Sequence, residues 1–439
     1  MKRALIVVVV LFALPLLAIG GWYQMHSRES ASRADQYEAW AKNQKPVPVE
    51  FVVTAPPETP ADQILYLSGN DAALGAWDGA GVPLSKGADG KYHGTVDLLS
   101  GIEHAFKVTR GTWGTVERAA DGGEIANHTV TPTGKQSVGV SVATWVDGGK
   151  AVPGRVTLSG DIRYHKKFHS DVLGNERTLV IYLPPGYEQD QAARYPVLYM
   201  QDGQNLFDES TSFAGIEWRL DEAAQRVISE QDAQPMIIVG IYNSEQRTEE
   251  FTPPPMSTDK VKGRGDAYAK FVTQEVKPFI NRTYRTQPDR SHTALGGSSM
   301  GGLITLYMAQ VNRDTFGAIA TLTPWLRVPG GKALVDVWGN DIAWMKGTRF
   351  YVEAGGAGGA NYPGDKPLND ARDFVQRLQS AGLQSGAEYQ YLEIESGEHN
   401  EAAWQKQCDK MLTFVFRATS DENATASTPT TAPATVPAP

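Results

Sequence analysis

The rhythm of hydrophobic and polar positions changes three times along this chain. An unbroken apolar run from Ala4 to Gly21 follows Lys2 and Arg3, then gives way to polar sequence. From Pro46 to about Trp145, apolar and polar residues alternate in short stretches: Val49 to Thr54, Gln63 to Ser68, Tyr92 to Leu98, Glu103 to Thr109 and Ser137 to Thr144. Gly, Asp and Asn turns separate them, so this part predicts short strands and a small β-sandwich. Farther on, strand-like and helix-like runs take turns. Thr293 to Leu295, Phe316 to Thr321, Arg349 to Ala354 and Tyr389 to Ile394 read as strands. Leu303 to Met308 reads as an apolar stretch opened by a glycine-rich turn, and Ala371 to Ala381 as a helix with Phe374, Val375 and Leu378 on one face.

The first apolar run predicts a targeting segment over residues 1–25, either a signal peptide or a single membrane anchor. Ala18-Ile19-Gly20 offers a small-x-small cleavage site, while 18 apolar residues are just long enough to span a bilayer. No cysteine follows the run, which excludes a lipoprotein anchor, and either reading puts the folded part outside the cytoplasmic membrane, periplasmic or secreted. Residues 26–45 and 147–159 have linker composition, so the sandwich is expected over 46–146 and a second domain over 160–418. Residues 419–439 alternate Ala, Thr, Ser and Pro and are expected to be a disordered tail.

Candidate chemistry centres on GGSSMGG. Gly297-Ser298-Ser299-Met300-Gly301 fits G-x-S-x-G, the pattern of a serine held on a sharp strand-to-helix turn whose neighbours must be small. A serine hydroxyl needs an imidazole base, and the base needs an acid that fixes its tautomer. In the chain order serine, acid, histidine, only His399 lies downstream of Ser299, in a polar turn after the strand at Tyr389 to Ile394. The acid belongs on the loop after the preceding strand. Asp365 sits in that loop. Glu353 at the strand end and Asp370, the latter read as a first-turn acid behind an Asn369 cap, are the alternatives.

Together with GGSSMGG, the segments Arg177 to Tyr187, Tyr195 to Phe207 (with Asp202-Gly203-Gln204) and Gly397 to Glu401 with Trp404 make residues 160 to 417 resemble the "Putative esterase" (esterase D-like) family of α/β-hydrolases. The resemblance implies an α/β-hydrolase fold: a mostly parallel sheet with helices on both faces. It also implies a serine hydrolase acting on carboxylic esters without metal or cofactor, and an oxyanion hole from the backbone N–H groups of Met300 and Gln204. Trp325, with Trp218 and Trp404, would wall the acyl site, while Glu217 and Arg247 are read as structural loop charges. The stretch Gly355-Gly356-Ala357-Gly358 departs from the family's usual G-T-x-[DE] turn, which leaves the acid open among Asp365, Glu353 and Asp370.

Ile64 to Asn70, Leu74 to Asp78, Phe106 to Val108 and Trp113 make the preceding part resemble starch-binding and glycogen-binding modules of immunoglobulin-like fold. That implies sugar stacking by Trp77 and Trp113, against the alternative that Trp77 fills the core. His165 and His169 are spaced i, i+4, but the strand reading around them argues against a metal pair.

Composition narrows the field. With 41% hydrophobic and 21% charged residues in 439, the chain reads as globular; a net charge of −9 argues against a nucleic-acid-binding surface. A single cysteine, Cys408, excludes an internal disulfide framework and thiol metal clusters. The expectation is an exported serine carboxylesterase using Ser299, His399 and Asp365 on an acetyl or feruloyl ester of a glycan. A siderophore (enterobactin-type) ester is the alternative substrate, and a non-catalytic glycan-binding or scaffold protein the alternative class.

Overall fold

The computed structural model describes residues 45–417 except 70, 76–78, 112–114, 124, 147–156, 214–215, 260, 328–331, 356–365 and 395–396. The expected targeting segment and tail, most of the two linkers, and Trp77, Trp113 and Asp365 therefore lie outside the described residues. Two compact units are present, one of Met1–Gly149 with Gly359–Asn369 and one of Lys150–Gly358 with Asp370–Pro439.

The first unit is all β. Its seven-stranded sheet runs, edge to edge, His128–Val130, His104–Thr109, Leu65–Gly69, Val82–Lys86, Tyr92–Leu99, Pro46–Thr54 and Gln136–Ser141. Phe51 and Phe106 stand on strands well apart in that order, yet their rings meet edge to face at 5.0 Å. The sheet therefore folds over on itself. Val49, Phe51 and Val53 then share one core with Leu65, Leu67, Phe106 and Val108, the alternate positions of their strands. The strand Val82–Lys86 escaped the sequence reading because Pro83 interrupts the alternation; it pairs opposite Tyr66.

In the second unit the strands are β1 (Asp161–Ser170), β2 (Asn175–Leu183), β3 (Val197–Gln201), β4 (Ile237–Ile241), β5 (Thr293–Ser298), β6 (Ala318–Pro324), β7 (Arg349–Gly355) and β8 (Tyr389–Ile394). The principal helices are α1 (Leu220–Ser229), α2 (Ser299–Val311), α3 (Lys366–Ser380) and α4 (Cys408–Val415). The sheet order is β1-β2-β4-β3-β5-β6-β7-β8. Only β2 runs against its neighbours; β4, β3 and β5 to β8 are parallel. This is an α/β-hydrolase sheet.

Both faces are buried, and the period-two rule shows how. Leu179, Ile181, Val197, Tyr199, Ile237 and Val239 enter one core with residues of α2 and α3. The intervening Val180, Tyr182, Leu198, Met200 and Ile238 enter the other with α1 and α4. Cys408 is buried in that second core.

Two expectations about α3 are corrected. Phe374, Val375 and Leu378 do form its buried face, but the helix begins at Lys366, five residues before the expected start. Pro367 in the first turn needs no N–H there, so it starts the helix and does not block it. Asn369 and Asp370 consequently lie inside the helix, and Asn369 is not its cap.

Candidate active site

Ser299 stands where β5 ends and α2 begins, with φ of 51°. That left-handed conformation is costly for a residue with a side chain and holds only where its surroundings fix it. The fixing is steric and polar. A Cβ on Gly297 would lie 2.7 Å from the carbonyl of Gly301, so the strand end can come this close to the helix start only as a glycine. On the other side the Trp325 N–H donates to the Ser299 carbonyl at 2.8 Å. Met300, next along, is in the first turn of α2, where backbone N–H groups have no acceptor within the helix.

His399 reaches this serine from a turn one hundred residues away. The Gly397 N–H closes the turn on the Ile394 carbonyl at 2.8 Å, and Asn400 caps the helix Glu401–Gln405 by accepting from the Ala403 N–H at 3.0 Å. Between these fixed points, His399 Nε2 lies 2.9 Å from Ser299 Oγ. The ring sits edge-on to Trp404 and Trp325, at 5.2 and 6.0 Å between centroids. Burial, with the positive charge of Arg247 second, holds its pKa down to about 4. The imidazole is therefore neutral near pH 7, as a proton acceptor must be.

The carboxylates divide differently. Glu353 is almost fully buried at the end of β7, where Oε2 accepts from both the N–H and the hydroxyl of Thr323, at 3.0 and 2.9 Å. Burial pushes it up to about 7 against those two bonds. Asp370 pairs with Arg327 at 3.2 Å. Among the described residues no carboxylate hydrogen-bonds to His399, and Asp365 lies outside them.

Over residues 170–415 the sequence matches the family described as "Putative esterase". The chain belongs to that family. Among the relatives of this chain is an endo-1,4-beta-xylanase/feruloyl esterase of Xylanibacter ruminicola, 24% identical over 57% of the chain and 31% of the relative. An iron(III) salmochelin esterase of Escherichia coli O6:H1 is 24% identical over 53% of each chain. A 100-residue stretch, 23% of the chain, is 42% identical to part of an alpha-amylase of Niallia circulans and covers 8% of it. The chain thus spans about half or less of the length of these relatives.

The aromatic residues separate into two roles. Trp325 is half-buried beside His399. Trp404 is buried and donates from Nε1 to the Thr323 hydroxyl at 3.3 Å. Trp218, expected as a pocket wall, is buried to 2% exposure and packs behind Trp404 at 5.7 Å, so it belongs to the core. Glu217 is likewise buried, and burial pushes it up to about 7. His165 and His169 both lie on β1; one meets the Tyr284 hydroxyl at 2.7 Å and the other faces Asp171.

What the sequence reading missed surrounds Asp202. Asp202 follows β3 with φ of 55° and opens the turn Gly203–Asn205, which contains Gln204. Gly203 packs flush on β4, where a Cβ would come within 2.4 Å of Gly240. Arg247 grips the Asp202 carboxylate with two parallel bonds of 2.7 Å, and Asn243 adds a third at 2.7 Å. The Asn243 N–H also donates to Gln204 Oε1 at 3.2 Å. Asn205 closes the same turn on the histidine side, donating to Glu401 at 3.2 Å. The Asp-Gly pair and the reading of Arg247 as a structural loop charge were the signals of this network; nothing in the sequence joined the two.

Proposed function

We propose that this esterase is an exported serine carboxylesterase acting through Ser299, His399 and Asp365. The observation that carries the reading is the 2.9 Å approach of His399 Nε2 to a serine held in a strained turn. Ser299 Oγ attacks the ester carbonyl while His399 Nε2 takes its proton, and the oxyanion is held by the N–H groups of Met300 and Gln204. His399 then returns the proton to the departing alcohol. Water, deprotonated by His399, attacks the acyl-enzyme carbonyl; the acyl–Oγ bond breaks, His399 returns the proton to Ser299 Oγ, and the acid is released. Asp365 holds the imidazole in the right tautomer, and Trp325 lines the acyl site.

For the substrate, the reading is an acetyl or feruloyl ester on a glycan. It is supported by the likeness to a feruloyl esterase, by the stretch shared with an alpha-amylase, and by the resemblance of the first unit to sugar-binding modules with Trp77 and Trp113 as stacking positions. A siderophore ester is the second reading, supported by the salmochelin esterase relative. The basic-then-apolar N-terminus supports export, with the segment cleaved or kept as an anchor. Among the described residues no helix is long and apolar enough to cross a membrane.

The test is turnover of feruloyl and acetyl glycan esters, a catecholate siderophore tri-ester and short p-nitrophenyl esters by the wild type and Ser299→Ala. The wild type should turn over the glycan esters best, and the variant should lose at least about 10³-fold on every active ester. Residual activity within about tenfold removes Ser299 from its role. Preference for the tri-ester moves the assignment to the siderophore reading, and a wild type inert on the whole panel favours a scaffold.

A further inference from the structure

Arg247 does more than a loop charge needs to. Its short helix, Arg247–Phe251, is pinned at the far end by a buried ion pair: Glu250 accepts from Arg177 at 2.8 and 3.0 Å and from Asn175 at 3.0 Å. Arg177 in turn lies over the Phe271 ring at 4.7 Å. A helix so anchored presents Arg247 in one place. There its Nε and Nη2 meet the two oxygens of Asp202 in the planar fork that only a guanidinium forms with a carboxylate.

Asp202 is placed to transmit that grip. It has 5% of its surface exposed and a left-handed backbone, and it begins the turn that carries Gln204. A Cβ on Gly301 would sit 3.1 Å from Asp202 Oδ2, so the same carboxylate abuts the first turn of α2 next to Met300. Resting on the esterase reading above, we propose that Arg247 is a positioning residue: by gripping Asp202 it holds the turn Gly203–Asn205 against the serine elbow, so that the Gln204 and Met300 N–H groups face one oxyanion. Its positive charge has a second effect, disfavouring the imidazolium form of His399. The other charged and titratable groups around Arg247 are Asp202, Glu401 and Tyr268.

The test compares Arg247→Met and Arg247→Lys with the wild type, all first shown to be folded by thermal melting. Lysine keeps the charge but not the two parallel bonds. Arg247→Met should lower kcat about 10²-fold with KM nearly unchanged, the size expected when reacting groups are misplaced by about an ångström. Its acid limb in the pH profile should move to higher pH, because the cation that disfavours imidazolium is gone. Arg247→Lys should lose about tenfold in kcat and keep the wild-type acid limb. In the protein without substrate, amide hydrogen exchange of the peptide spanning residues 202–206 should speed up in both variants.

Unchanged exchange in that peptide overturns the inference whatever the kinetics, since the turn would then not depend on Arg247. A kcat within about threefold of wild type in both variants overturns it too. A wild type inert toward esters and fluorophosphonates counts against the esterase reading, and the exchange result still decides whether Arg247 holds the turn.

Discussion

Two walls flank Ser299, and they are held by opposite means. Among the described residues, the non-glycine positions with positive φ include Asp202, Ser299 and Thr323, at 55°, 51° and 39°, which fall at the ends of the neighbouring strands β3, β5 and β6. Each costs roughly 1–3 kcal/mol and persists only because its surroundings over-determine it. Asp202 is fixed by charge, through Arg247 and Asn243. Thr323 is fixed by a buried carboxyl: Glu353 accepts from its N–H and hydroxyl, and Trp404 and the Gly355 N–H donate to that hydroxyl. A clamp built on Glu353, pushed up to about 7 by burial, changes protonation near neutrality. Strain at this site is thus supported once by an ion pair and once by a buried carboxyl that titrates near neutrality.

The largest expected effect tests whether Glu353 belongs to the wall or to the triad. Asp365→Asn should lower kcat by about 10³–10⁴-fold with little change in KM, because the carboxylate stabilises the imidazolium formed in the transition state. Glu353→Gln should change kcat far less. The reverse result would make Glu353 the triad acid and dissolve the contrast between the walls.

Next in size is Gly301→Ala. The new Cβ meets Asp202 Oδ2 and the Gln201 Cβ, each at 3.1 Å, so the charged wall must shift from the elbow. Steady-state kinetics should show a fall of about 10²-fold in kcat with the fold kept. A silent substitution would mean that the wall yields freely.

The Thr323 wall predicts a pH effect on stability. The folded state keeps Glu353 protonated up to about pH 7, whereas its ordinary value is 4.5, so its contribution is fully present below about 4.5 and is lost as pH rises through about 7. At about 1.4 kcal/mol per pH unit the change is about 3 kcal/mol. In Glu353→Gln, denaturant unfolding should show a stability gain over wild type that grows between about pH 5 and pH 8. A pH-independent difference would show that the carboxyl is not held protonated. The smallest effect is on the acyl pocket: Trp325→Ala, which removes a half-buried ring beside His399, should raise KM a few-fold and, by hydrating the imidazole, move the acid limb of the pH profile to higher pH.

The chain revealed one side of this site and hid the other. The approach of His399 to Ser299 was legible because a strained turn demands glycines in a fixed pattern and because one histidine follows the serine. The sheet was legible too, since strands buried on both faces read as apolar runs. The Asp202 clamp was hidden: an arginine 45 residues downstream leaves no periodicity and no spacing, and only the folded chain brings Arg247 to Asp202. Helix α3 was misjudged at its start for a local reason, a proline that opens a helix looking in sequence like one that forbids it. Trp218 was misjudged because aromatic residues in a pocket wall and in a core have the same sequence signature.

The proposed nucleophile is Ser299, activated by His399. Its most direct test is to react the purified protein with a fluorophosphonate and locate the adduct by peptide mass spectrometry, in the wild type and in His399→Ala. Covalent mass on Ser299 in the wild type, with the labelling rate in His399→Ala reduced by about 10³-fold or more, is the expected result. Labelling at another residue, or at an equal rate without the imidazole, would contradict it.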